Sequence, residues 1–173
     1  FLFYLMFLDF EKDYVFENEF IKLAPLDVLH IESLIDVSLQ PDIWKYSYLK
    51  GAGRQELTRY VNEAIYNREN QKEYAFAVFD KQRSRFVGST RIYDVINSFQ
   101  SARIGFTWYC KSSRGTMVNK SCKFLLFQFL FENVLANRVG LGAYAENDLS
   151  RRAIESVGGI LEGRFRQFLP NQE

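Results

Sequence analysis

Residues 102–120 read ARIGFTWYCKSSRGTMVNK and run straight into an apolar segment, SCKFLLFQFLFENVL, at 121–135. An extended apolar piece ending at Tyr109, a short polar link, a basic turn holding Gly115 and then a helix predict free backbone N–H groups beside Arg114. Such a helix start suits an anion, and the remaining chain is expected to pack around this unit. Gly105 within the strand permits a bulge or a close backbone approach. The segment 118–135 is rich in Phe and Leu and too long for an ordinary strand, which favours a helix. Its grease on more than one side suits a helix held between a sheet and another surface.

Working outward, EYAFAVFD at 73–80 and RFVGSTRIYDV at 85–95 alternate as strands around a short polar turn, predicting an antiparallel hairpin with 102–109 as its third neighbour. FIKLAPL at 20–26 reads as the first strand, ended by Pro25. Asp27 is then a cap for a helix with Val28, Ile31, Leu34 and Ile35 at helical spacing. A second helix over 54–67 buries Leu57, Tyr60, Val61, Ala64 and Ile65, and the two helices form a natural lid. Between them, Trp44, Tyr46 and Tyr48 line a groove wall or pack over the core. His30 has no obvious partner and reads as a surface or packing residue.

Downstream, NRVGLGAYA at 137–145 reads as a buried strand, ENDLSRRAIESVGG at 146–159 as a capped helix with a double-glycine stop, and ILEGRFRQFL at 160–169 as a closing strand. Asn147, Asp148 and Ser150 are the cap candidates. The opening FLFYLMFLDF falls short of the roughly 20 apolar residues of a membrane helix. It reads as an N-terminal strand or packing arm, with a membrane or subunit contact as alternatives. The chain divides into this arm or extra strand at 1–19 and one domain at 20–173.

A formal charge of +1 supplies no overall field for nucleic acid. Two cysteines and one histidine are too few for a zinc site and a poor basis for a disulfide scaffold, so a reducing cytoplasm is the default.

The residues IGFTWY at 104–109, RGTMVNKSCKFLL at 114–126 and NRVGLGAYAENDLSRRAIESVGGILEGRFR at 137–166 closely resemble the GNAT acetyltransferase superfamily, particularly the branch of ribosomal-protein alanine and serine N-acetyltransferases. The resemblance spans about 20–168. It implies an α/β fold, a mixed and strongly twisted central sheet flanked by helices, with acetyl-CoA bound where two central strands splay apart. The family's turn has the form Gln/Arg-x-x-Gly-x-Gly/Ala. Here Arg114 takes the first position, while Met117 and Asn119 stand where glycines are commonest. Met117 is the clearer departure, because it adds a side chain where phosphate approaches the backbone.

The resemblance implies a set of site residues. Arg114, Gly115, Thr116, Met117, Val118 and Asn119 would hold the CoA pyrophosphate. The backbone of Thr107, Trp108, Tyr109 and Cys110 would pair with the pantetheine arm and receive the thioester oxygen. Asn147 would bond the pantetheine arm, cap a helix, or do both. Ser150 would donate to the departing thiolate or act as a cap, and Arg152 is a phosphate contact or solvated surface. Ile154 stands where many relatives outside this branch carry a tyrosine acid. Glu146 is the best placed of three candidate bases, with Glu73 and Asp94, though a solvated acid is its plainer reading. Cys110 and Cys122 pack near the cofactor loop, since direct attack needs no covalent enzyme intermediate.

The expected activity is acetyl-CoA-dependent N-acetyl transfer to a primary amine, on a protein N terminus or a small molecule. No metal, nucleic acid or stable membrane insertion is expected, and the aromatic arm is a candidate homodimer contact. The alternative is a noncatalytic acyl-CoA-binding or protein-interaction module on the same fold.

Overall fold

A computed structural model describes residues 8–47 and 49–167 of the chain. Six strands form one sheet in the order β1 (Phe16–Glu17), β2 (Ile21–Pro25), β3 (Glu73–Asp80), β4 (Arg85–Ile96), β5 (Ser101–Tyr109) and β6 (Arg138–Gly140). Neighbours pair antiparallel up to β5, and β6 joins β5 in parallel. The helices are α1 (Ile31–Ser38), α2 (Gly53–Glu69), α3 (Met117–Gln128) and α4 (Asp148–Glu155). This is the mixed, twisted, helix-flanked sheet that the sequence implies.

The period of two along β4 separates its flanking helices. Arg91 meets Tyr60 of α2, while the adjacent Thr90 bonds Thr107, which in turn takes a hydrogen bond from Lys123 of α3. α2 and α3 therefore cover opposite faces, and β3, apolar and buried through most of its length, lies between them. α1 packs with α2, and Leu34, Leu57 and Val61 are fully buried. These helices are one layer of the core, so the expected lid is a structural wall. Trp44 likewise packs against Tyr60 and Trp108, and its indole N–H donates to the Ser38 carbonyl at 2.8 Å.

Asp27 does cap the segment after Pro25, but through a 3-10 turn, Val28–His30, that precedes α1. His30 closes the box: its Nδ1 accepts from the Asp27 N–H at 3.0 Å, and its ring meets Phe86 edge-on. The predicted long helix appears as α3 followed by a π-helical turn, Phe129–Asn133, whose Phe129 packs on Tyr14 and Phe16.

Two expectations need correction. The buried strand at 137–145 is only Arg138–Gly140 and is half-exposed, because β6 lies at the sheet edge. The closing strand at 160–169 does not form over its described residues, where Ile160, Leu161 and Phe165 are exposed; a segment with strand-forming residues needs a partner edge to become a strand. The reading of residues 1–7 as a packing arm, and of Tyr48 as a groove wall, lies outside the described residues.

Candidate active site

β5 and β6 pair only over Ser101↔Arg138, Ala102↔Val139 and Arg103↔Gly140. β5 continues to Tyr109, while residues 141–147 leave the sheet and lead to α4. The parallel pair thus opens into a wedge beside the part of β5 that runs on from Ile104 to Tyr109. Gly140 and Gly142 give the Arg103 side chain room at the opening, where a Cβ on Gly142 would lie 2.9 Å from the guanidinium. Tyr46 bridges from the α1–α2 connection to the far wall, its hydroxyl donating to the Glu146 carbonyl at 3.2 Å.

At the end of β5 the chain is tied down before it enters α3. The Cys110 N–H donates to the Val87 carbonyl at 2.7 Å, and the Ser113 hydroxyl donates to the buried Asp80 at 3.0 Å. Asp80 also accepts from the Gln82 and Arg83 N–H groups, so the turn between β3 and β4 anchors this loop. Burial pushes the Cys110 thiol up, but hydrogen bonds with Ser112 and Ser113 and the nearby Arg85 outweigh it and leave the thiol below its ordinary value. Burial raises the Cys122 thiol to about 11, which keeps it protonated.

Gly115 follows with φ of 72°, a conformation glycine adopts without a Cβ penalty. Thr116 caps α3: its hydroxyl accepts from the Val118 N–H at 3.3 Å and donates to the Ser113 carbonyl at 2.7 Å. The remaining first-turn N–H groups of α3 have no intrahelical acceptor, which leaves them for an anion. Arg114 lies beside this turn, its Nε donating to the Tyr109 carbonyl at 3.2 Å, and the Tyr109 hydroxyl reaches Asn119 at 3.4 Å. Met117 takes a helical place in the first turn, but its side chain is 45% exposed rather than turned inward. A cavity of about 630 Å³ adjoins the turn, lined by Gln40, Pro41, Asp42, Lys111, Ser112 and Arg114. Thr116→Ala removes both bonds of the cap and is expected to cost about 1 kcal/mol in urea denaturation.

The structure therefore draws Tyr109, Arg114, Thr116 and Asn119 into one cluster at the α3 start. Across the wedge, Asn147 caps α4, its Oδ1 accepting from the Ser150 N–H at 3.1 Å, and Ser150 is half-buried in the first turn. Glu146 is exposed, 3.8 Å from Arg164. Asp94 is exposed and faces Arg103 at 3.4 Å, while Glu73 is buried in an ion pair with Arg91. Arg152 is exposed on α4, beside Asp148, Arg151 and Glu155 in a shallow cavity of about 280 Å³. Among the described residues no group of three His, Cys, Asp or Glu side chains is arranged to hold a metal ion, and no helix is long and apolar enough to cross a membrane.

Three polar features escaped the sequence reading. Lys123 interrupts the buried face of α3 between Cys122 and Leu126, and a lone cation in that apolar run is the signal that could have exposed it. Arg91 is fully buried on β4 and bonded to Tyr60 and Glu73, a pairing across 31 and 18 residues of chain that no local pattern records. Tyr144, whose buried hydroxyl has no hydrogen-bond partner among the described residues, meets the Tyr46 ring in a tilted contact with centroids 6.4 Å apart.

A strand that parts from its parallel neighbour, followed by an N–H-rich helix start, is the arrangement that the sequence resemblance implies. Residues 21–160 match the acetyltransferase (GNAT) domain model, and the chain belongs to that family, an N-acetyltransferase family whose acyl donor is acetyl-CoA. Similar folds include a GCN5-related N-acetyltransferase from Brucella melitensis, 24% identical, with a TM-score of 0.84 over 91% of this chain and 72% of that one. RimJ of Mycobacterium smegmatis, solved in complex with CoA-disulfide, is 18% identical, with a TM-score of 0.67 over 80% of this chain and 69% of that one. The ribosomal-protein-S5-alanine acetyltransferase of Vibrio fischeri is 13% identical, with a TM-score of 0.72 over 91% and 88%. No curated protein matches the chain.

Proposed function

We propose that this chain transfers the acetyl group of acetyl-CoA to a primary amine by direct attack, with a protein N-terminal α-amine as the acceptor. The wedge beside β5, open past Arg103 and ending at the N-terminus of α3, is the observation that carries this reading. The backbone N–H groups of residues 115–119 would hold the pyrophosphate, with Arg114 supplying charge. The 630 Å³ cavity beside Arg114 and Lys111 would take the remaining polar end of the donor. On the side that β6 has left, the backbone of Thr107, Trp108, Tyr109 and Cys110 would receive the pantetheine arm and polarise the thioester oxygen.

The amine must arrive unprotonated. An α-amine titrates near pH 8 and a lysine near 10.4, so the α-amine loses its proton at smaller cost. Glu73 is committed to Arg91 and Asp94 faces Arg103, so Glu146, next to Asn147 at the wedge rim, is the candidate base, acting through water. Attack forms the C–N bond, collapse breaks the C–S bond, and the CoA thiolate takes a proton. Ser150 would donate that proton, because Ile154 cannot. Asn147 both caps α4 and faces the pantetheine arm, while Arg152 is a peripheral phosphate contact.

Free thiol released from acetyl-CoA with and without a panel of N-terminal peptides, polyamines and aminoglycosides tests the reading. Amine-dependent release from the peptides is the expected result. CoA binding without amine-dependent release would favour a noncatalytic acyl-CoA module. Ser150→Ala is expected to lower kcat on the order of 10²-fold, with KM for acetyl-CoA little changed; an unaltered kcat would assign the proton to water.

A further inference from the structure

We infer that Lys123 is a positioning residue for acetyl transfer, holding the bulged part of β5 at Thr107 in place through the Thr107 hydroxyl. The inference rests on the reading that β5 receives the acyl donor. Lys123 is 5% exposed on the sheet-facing side of α3, and its Nζ donates to Thr107 Oγ1 at 2.9 Å. Thr107 Oγ1 also lies 2.8 Å from Thr90 Oγ1 and 3.3 Å from the Gly105 carbonyl.

The backbone explains why this side-chain tie matters. Ser89 pairs with Trp108 and Arg91 with Gly105, so Thr90 faces both Phe106 and Thr107. That is a bulge, and Phe106 has a φ of 49°. On the other side, β6 has already left at Gly140. Thr107 consequently lacks a ladder partner on either side, and what orients it is the chain of hydroxyls ending at Lys123. Thr107 and the residues after it, through Cys110, are those proposed to meet the donor.

A structural role alone accounts poorly for the nitrogen. Burying an ammonium without a carboxylate carries a desolvation cost that a methionine of similar length would avoid. The ionisable neighbour on its own helix is Cys122, which contacts Tyr109 of β5, and β4 contributes only the Thr90 hydroxyl to the same chain of bonds. Burial lowers Lys123 to about 8, so it remains a donor to Thr107 in either protonation state.

The test compares wild type, Lys123→Met, Thr107→Val, Thr107→Ser and the Met/Val double variant. kcat and KM are read for acetyl-CoA with the best acceptor of the amine panel, or with water as acceptor, and melting is followed alongside. Lys123→Met and Thr107→Val are each expected to lower kcat on the order of 10- to 100-fold with KM for acetyl-CoA within about threefold, as misplacement of a reacting group does. The double variant should be no worse than about either single one, because both cut the same tie. Thr107→Ser, which keeps the hydroxyl, should restore kcat.

A Lys123→Met protein with wild-type kcat overturns the inference and leaves β5 as the donor strand if Thr107→Val is impaired. Losses that multiply in the double variant overturn it too, since Lys123 would then act elsewhere. If Lys123→Met does not fold, Thr107→Ser against Thr107→Val decides, and equal impairment of the two refutes the hydroxyl tie. Wild-type turnover with Thr107→Val unimpaired, or a wild type inert toward both amine and water, removes the β5 reading and this inference together.

Discussion

Replacing Glu73 with alanine is expected to destabilise the fold by about 3–5 kcal/mol, the usual cost of leaving a buried charge without its partner. For a chain of this size that lowers the melting midpoint by roughly 10 °C. Arg91 is fully buried, and its Nη1 is ion-paired with Glu73 Oε1, which also accepts from Asn67 Nδ2 at 2.9 Å. The guanidinium lies 4.1 Å from the Tyr60 ring centroid, and its Nε bonds the Tyr60 hydroxyl at 3.3 Å. That hydroxyl also accepts from the Trp108 indole at 3.1 Å, which links the ion pair to β5. Nη2 has no partner among the described residues, so the arginine is already incompletely satisfied. Removing Glu73 leaves the cation no carboxylate, only the Tyr60 hydroxyl and the Tyr60 and Phe106 rings, to offset its desolvation. Glu73→Leu combined with Arg91→Met, which removes both charges, should recover most of the loss. Thermal and urea denaturation of wild type and the two variants decide this, and a Glu73→Ala midpoint equal to wild type would contradict it.

Gly88→Ala is the second large effect, and it acts through backbone contact rather than charge. A Cβ built on Gly88 would lie 1.9 Å from the Trp108 carbonyl oxygen and 2.9 Å from its carbon, neither of which can rotate away. Gly88 pairs with Tyr109, one residue beyond Trp108 and next to the Val87–Cys110 bond that ends the ladder. The methyl group must push β5 from β4 along the stretch proposed to receive the acetyl donor. We expect about 3 kcal/mol of destabilisation, at the upper end for overpacking, and loss of acetyl-CoA-dependent turnover in the protein that remains folded. Gly163→Ala is the matched control, since a Cβ there meets no heavy atom within 4 Å. It should change stability by no more than about 0.5 kcal/mol. A Gly88→Ala protein as stable and active as that control would refute the close-approach argument.

The two glycines of the β4–β5 pair illustrate how far a sequence can be read. Gly105 was legible as a place for a bulge or close approach, and the structure has both: the bulge begins beside it, and a Cβ there would meet the Tyr93 ring at 2.7 Å. Gly88 was visible as a glycine in mid-strand, but its tight neighbour comes from β5, 20 residues later, as Trp108. Asn147 as the cap of α4 was similarly open to local reading, because a cap and the N–H that donates to it lie within a few residues, whereas Thr116 as the cap of α3 was not read from the sequence. The strand expected at 160–169 failed for the converse reason: residue type after a helix stop proposes a strand, but a sheet edge must be present to pair with it.

By itself the sequence determined the hairpin of β3 and β4, the third strand β5, the turn with Gly115 and the helix after it, and through their ordered motifs the family. Those features depend on period, length and turn chemistry over short spans of chain, where each residue's partners are its near neighbours. Only the tertiary structure decided that β6 would leave the sheet after Gly140, that Arg91 would be buried against Glu73 and Tyr60, and that Lys123 would reach Thr107. Each of these needs segments far apart in the chain to meet across a sheet or a helix face, and the burial that makes a charge costly or a hydroxyl indispensable exists only after they have met.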